Sequence, residues 1–303
     1  IKAFKALGAE VLEEDGDFVV RRRGPLAGTV TFEAPTVGGT HNVILAAVLG
    51  RGRVVLENAA LEPEVTDLCH MLSRMGAQIT GVGTETLHIE GVSELRGLRY
   101  RPIPDRIEAG TLMLAVAATR GAVTFENVAP EHLRAVSDKL AEAGVRVAAL
   151  GADRLLVDAR GPLRPVDVDA HEYPGIPTDL QAPFGALLAT IPGISEVADH
   201  VYFEHRFTHV EPLRKLGAEL ALDGNRLTVH GGHALEGAEL HAADIRAGGA
   251  LIVAALAARG GSVVTGLQYI ERGYERITER LQALGARVRQ DASAPFLTGT
   301  YGD

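Results

Sequence analysis

Polar residues able to hold an anion or move a proton gather at four places in this 303-residue chain. They are PTVGGTHN at 35–42, PDRIEAGT at 104–111, PTDLQAPF at 177–184 and ADIRAGGA at 243–250, each leading into an Ala-rich apolar run. The start of a helix exposes unsatisfied N–H groups and the positive end of the helix dipole. Four such starts form a surface for phosphates if they converge. Asp105, Asp179 and Asp244 each stand where an N-cap is expected, and Asp105 with Glu108 three residues on fits a capping box. Spacing therefore leaves each aspartate open to a purely structural role. The arginines differ. Arg106 and Arg246 lie inside these stretches, and Arg272 lies in IERGYERI at 270–277. A guanidinium grips phosphate or carboxylate with a two-pronged fork, so arginines beside such linkers favour an anion clamp.

Other chemistry finds less support. Val65, Leu68, Cys69, Leu72 and Met75 fall on one helical face, which makes Cys69 a buried, inert thiol. As the one cysteine, it excludes an internal disulfide framework and fits a reducing, cytoplasmic setting. His205 and His209 have H-x-x-x-H spacing without the glutamate of H-E-x-x-H or an evident third ligand, so no metal is expected there. There is no Walker loop, no G-x-G-x-x-G after a strand and no G-x-S-x-G elbow. A net charge of −9 argues against sequence-independent nucleic-acid binding. With 5% aromatic residues and no tryptophan, a base-stacking platform is not expected either. No apolar run approaches the roughly 18–20 residues that span a bilayer.

The elements that must position these residues repeat. A helix ending in glycine and followed by a strand recurs at Gly8, Gly76, Gly144, Gly217 and Gly285, at spacings of 68, 68, 73 and 68 residues. A leucine entering a strand recurs at Leu26, Leu95, Leu163 and Leu235, with the same period. Each unit reads as βαβαββ. A strand such as Thr29–Phe32 leads through a polar turn to an Ala-rich helix, expected at Thr40–Leu49, Gly110–Ala118, Leu180–Leu188 and Ala250–Ala258. Next come a strand (Arg53–Glu57, Ala122–Glu126), an amphipathic helix, and two strands around a turn. The turn is clearest at Asp223-Gly224-Asn225, between Glu219–Leu222 and Arg226–Val229. Four copies read as complete, and residues 1–23 as the second half of another. A unit of this kind buries its faces against its neighbours, so the pattern predicts further units upstream of Ile1.

Taken together, PTVGGT (35–40), ENAALEPEV (57–65), PDRIEAGT (104–111), IPTDLQAPF (176–184), FEHRFTHV (203–210), DIRAGG (244–249) and ERGYERI (271–277) resemble the enolpyruvyl transferases, in the family's order along essentially the whole chain. The resemblance implies an α/β fold, an inside-out α/β barrel of two domains. Residues 1–103 would be the remainder of the first, incomplete here, and 104–303 the second, of three units. It further implies transfer of the enolpyruvyl group of phosphoenolpyruvate to the 3-hydroxyl of UDP-N-acetylglucosamine, without metal or organic cofactor. Two other readings stand beside it: the sister reaction on shikimate 3-phosphate, and a non-catalytic binding protein on the same fold.

Carried over by motif, Asp179 matches the proposed base for the sugar hydroxyl. Arg272 matches an arginine on the phosphoenolpyruvate anion, and Arg246 one that supports the closed site. Ala34, Pro35, Thr36 and Val37 match a uridine-nucleotide stretch, and Tyr202 a further nucleotide contact. Ala34, Tyr173 and Tyr202 stand where lysine, histidine and Val or Ile are common in the family. The family's cysteine proton donor would lie upstream of Ile1. On this reading the 303 residues alone have no turnover, and their exposed apolar edges make them poorly soluble.

Overall fold

A computed structural model of the chain describes residues 1–202 and 206–291. Helix α1 (Lys2–Ala6) and the hairpin β1 (Glu10–Glu14) and β2 (Asp17–Arg21) form the opening half-unit. A full unit follows: β3 (Gly28–Thr31), α2 (Val37–Val48), β4 (Arg53–Glu57), α3 (Pro63–Arg74), β5 (Gln78–Thr80) and β6 (Thr86–Glu90). The next holds α4 (Arg106–Ala118), β7 (Ala122–Glu126), α5 (Arg134–Glu142), β8 (Arg146–Ala149) and β9 (Arg154–Asp158). The third holds β10 (Val168–Ala170), a 3-10 turn at Thr178–Leu180, α6 (Gln181–Ala189), β11 (Gly193–Asp199), α7 (Val210–Lys215), β12 (Glu219–Asp223) and β13 (Arg226–Gly231). The last described stretch has β14 (Glu239–His241), α8 (Ile245–Ala257), β15 (Val263–Thr265), α9 (Leu267–Glu271) and α10 (Ile277–Ala283).

The repeat is visible in strand order. One sheet runs β3-β4-β6-β5 and another β10-β11-β13-β12, each with a parallel first pair and antiparallel pairs after it. Two copies depart from the pattern. The α4 unit has a three-stranded sheet, β7-β9-β8, with no described strand ahead of its helix. After Gly285, where the pattern predicts a strand, residues 286–291 form none, and the remainder of that copy lies outside the described residues.

The Ala-rich helices begin earlier than their apolar runs suggest. Helices α2, α4 and α8 start at Val37, Arg106 and Ile245, because Thr36, Asp105 and Asp244 cap them. The glycines in their first turns do not break them; they permit close packing. A Cβ on Gly110 would stand 2.5 Å from Leu180 Cδ1, and one on Gly249 2.6 Å from Tyr274 Oη. Helices α4, α6 and α8 pack on one another with the sheets outside them, and all nine residues of α6 are buried. Helix inside and sheet outside is the expected inside-out order. The sheets remain separate rather than closing into one hydrogen-bonded barrel.

The apolar core falls into two clusters, one built from residues between Ala3 and Leu95 and the other from residues between Ile107 and Val288. Between them, residues 91–105 carry no regular secondary structure. Among the described residues, no helix is long and apolar enough to cross a membrane.

Candidate active site

Three helix starts face one cavity of about 510 Å³. Pro35, Thr36 and Val37 come from the start of α2, Asp105 to Ile107 from α4, and Pro177 to Asp179 from the 3-10 turn before α6. The fourth start, at α8, contributes no lining residue, but its Arg246 Nη1 lies 4.0 Å from Asp179 Oδ1.

Asp179 does not cap its helix. The turn from Thr178 to Leu180 has no side-chain cap, and the carboxylate accepts instead from Arg206 Nη1 at 3.0 Å. Arg206 is itself nearly buried, and its guanidinium lies 4.1 Å from the centre of the Tyr202 ring. Asp179 therefore sits between two cations with its carboxylate still partly open to the cavity. A carboxylate placed this way can accept a proton from a bound hydroxyl.

Asp105 and Asp244 take the structural role that Asp179 leaves. Asp105 accepts from the N–H groups of Ile107 and Glu108 at 2.8 and 2.9 Å. The expected capping box does not close: the Glu108 side chain turns to Arg280 at 2.9 Å, and burial raises its pKa. Asp244 accepts from the N–H groups of Arg246 and Ala247 and from the Thr208 hydroxyl. Burial pushes the Asp244 pKa up, but these donors and the Arg246 charge outweigh it and hold the carboxyl below its ordinary value. Arg246 Nε also lies 3.3 Å from Asp244, without hydrogen-bond geometry.

The expected arginine clamp is only partly assembled. Arg106 lines the cavity but is held by Glu64, with Nε–Oε1 at 2.9 Å and Nη2–Oε2 at 3.3 Å, so its fork is already filled. Arg272 is exposed on the loop after α9 and does not line the cavity. That loop packs on the first turns of α8: Ile270 lies over Gly248, Ile245 against Gly273, and Tyr274 Oη is 3.0 Å from Thr111 Oγ1. Ala34 is exposed and outside the cavity lining, whereas Pro35, Thr36, Val37 and Tyr202 are part of it. The lining is acidic, with Glu62, Glu64, Asp67, Asp105, Glu172 and Asp179 against Arg106 and Arg206.

Spacing did not reveal several of these residues. Arg206 carries no periodic signal, and only the fold brings it to Asp179. Asp199, at the end of β11, is fully buried. It accepts from Thr178 Oγ1 at 2.5 Å and from the N–H groups of Val201 and Tyr202 at 2.9 and 3.0 Å. One carboxylate thus joins the Asp179 turn to the Tyr202 wall. His171 and His200 stack at 4.4 Å, and His200 Nε2 lies 3.1 Å from Asp169. Of the H-x-x-x-H pair, His205 lies outside the described residues. His209 is buried, and among the described residues no partner with hydrogen-bond geometry reaches either ring nitrogen. Burial pulls its pKa down to about 4, more than the Asp244 charge and the Arg206 backbone can offset. Among the described residues no group of three or more His, Cys, Asp or Glu is arranged to hold a metal. Cys69 is buried in α3 away from the cavity, and burial raises its thiol to about 11.

Residues 1–281 match the family model described as EPSP synthase (3-phosphoshikimate 1-carboxyvinyltransferase). The chain belongs to the enolpyruvyl transferase family. Within it, the chain is 52% identical over 291 residues to the UDP-N-acetylglucosamine 1-carboxyvinyltransferase of Deinococcus radiodurans, covering 96% of this chain and 68% of that protein. It is 54% identical over 288 residues to the enzyme of the same name from Thermus thermophilus, covering 95% and 67%. Among solved enolpyruvyl transferases, NikO of Streptomyces tendae superposes with a TM-score of 0.84 at 29% identity, over 95% of this chain and 71% of that one. EPSP synthase of Acinetobacter baumannii shares the fold at 18% identity, with a TM-score of 0.67 over 95% and 71%.

Proposed function

We propose that this transferase moves the enolpyruvyl group of phosphoenolpyruvate to the 3-hydroxyl of UDP-N-acetylglucosamine and releases phosphate, the first committed step of peptidoglycan synthesis, in the cytoplasm. The observation that carries this reading is the identity of more than half of the aligned residues with enzymes named for that reaction. The site geometry supports it. In the addition, the sugar oxygen bonds to C2 of the enolpyruvate as its proton leaves to a base, and C3 gains a proton. In the elimination, C3 gives up a proton, the C–O bond to phosphate breaks and the C2–C3 double bond re-forms. Asp179, held between Arg206 and Arg246, is the base. Arg272 meets the phosphoenolpyruvate anion from the loop packed on α8, and Arg246 supports the closed site. The uridine nucleotide lies along Ala34, Pro35, Thr36 and Val37 and against Tyr202. Residues 1–103 and 104–303 act as two domains with the cavity between them.

Calorimetry with UDP-N-acetylglucosamine and with shikimate 3-phosphate tests the acceptor. Binding of the nucleotide sugar alone, weakened by Asp179→Ala, is the expected result. Preferential binding of shikimate 3-phosphate would overturn the proposal. The solved structures named for that second acceptor are 18% identical and speak to the fold, and the matching family model names the family.

A further inference from the structure

The central helices α4, α6 and α8 send their first residues toward the Asp179 cavity and their last residues toward a second, smaller one of about 220 Å³. The repeat explains what lines it. The turn after an Ala-rich helix reads Arg51-Gly52, Arg120-Gly121 and Arg259-Gly260 in three units, while the unit between the last two carries Ile191 there. Because α4 and α8 pack together, the same repeat position delivers Arg120 and Arg259 to one hollow, with His233 beside them. No aspartate or glutamate lines it.

The ordinary task of an arginine at a helix C-terminus is to satisfy carbonyl groups. Arg120 does this with one nitrogen, Nη2 donating to the Thr190 carbonyl at 3.3 Å. Its Nη1 is buried and has no partner among the described residues. A guanidinium N–H taken from water without an acceptor is costly, so capping leaves half of this fork unexplained. Burial without a nearby counter-charge also lowers the Arg120 pKa. Arg259 is exposed at the rim, and no acid among the described residues forms a salt bridge with it. His233 is balanced, its Nε2 lying 3.1 Å from Glu219. Three helix C-termini contribute about half a negative charge each, one of them already capped, against two whole guanidinium charges. The balance in the hollow is positive.

We infer that this hollow is a second ligand site, taking a small oxyanion of the phosphate or sulfate class between Arg120 Nη1 and Arg259. A guanidinium fork suits such an ion, and the hollow shares no lining residue with the Asp179 cavity.

The test titrates inorganic phosphate, then sulfate, into the 303-residue protein at constant ionic strength set with chloride, following heat and melting temperature. A saturable response is expected, at least about tenfold weaker in Arg259→Ala or Arg120→Gln. Arg246→Ala, beside Asp179, removes any share bound at that site and is expected to leave a saturable response that Arg259→Ala weakens. Arg259 is exposed, so its variant keeps the test sound if Arg120→Gln fails to fold. A response lost in Arg246→Ala and kept in Arg259→Ala places the anion at the Asp179 cavity and overturns the proposal. A response that never saturates also overturns it, leaving a water to satisfy Nη1.

Discussion

At the scale of single residues, the division of labour among three similar aspartates carries most of the functional content. Asp105 and Asp244 serve their own helices, while Asp179 faces the cavity between Arg206 and Arg246. In a preparation that turns over, replacing Asp179 with alanine is therefore expected to lower kcat in a phosphate-release assay by about 10²–10⁴-fold, the usual contribution of a positioned base. An unchanged rate would remove it from that role. Asp199 acts through its neighbours, so Asp199→Ala should cost about 1–3 kcal/mol by leaving three donors unsatisfied, with Asp199→Asn milder in urea denaturation.

His209 gives the residue scale a pH signature. Its folded pKa of about 4 lies below its ordinary 6.5, so between those values the unfolded chain binds a proton that the folded one refuses. Stability should fall as pH drops through that window, by up to about 3 kcal/mol, and His209→Gln should flatten the dependence of melting temperature on pH.

At the scale of elements, the Ala-rich helices could be placed from sequence because their apolar runs recur with the unit. Their true starts could not, because glycine is a poor helix former on propensity alone. What admits Gly248 and Gly249 into α8 is the contact they allow with Ile270 and Tyr274. Gly249→Ala makes two tendencies compete. Helix propensity favours alanine by up to about 1 kcal/mol, but the new Cβ meets a buried tyrosine whose hydroxyl is held by Thr111. Overpacking of that kind costs about 1–3 kcal/mol, so a net loss of stability is expected in urea unfolding. A gain would mean that Tyr274 moves freely.

At the scale of the whole molecule, two apolar clusters meet across a segment without regular structure, tied by the Glu64–Arg106 pair and by Tyr100 Oη on Asp67 at 2.6 Å. Limited trypsin treatment should cut first near Arg96 or Arg99, giving two fragments by mass spectrometry. First cuts inside α5, at Arg134 or Lys139, would contradict the two-domain proposal. Phe18, Val20, Leu45 and Leu49 are exposed apolar residues within the first fifty. Light scattering should show association that rises with concentration; a monomer throughout would count against it.

Composition, period and motif order by themselves determined the repeating βαβαββ unit, the α/β class and the family, because each rests on local patterns that survive translation along the chain. The burial of Cys69 was equally legible, since helical spacing alone put it on the apolar stripe. Tertiary structure alone decided which residues meet. Asp179 and Arg206 are 27 residues apart, and Arg106 meets Glu64 across 42; no local spacing encodes such pairs. It also decided that Arg106 is spent on a glutamate, that Arg272 stays outside the cavity, and that two arginines of one repeat position share a hollow. A motif states which side chain is available, and its neighbours in space settle what charge, burial and partners it has.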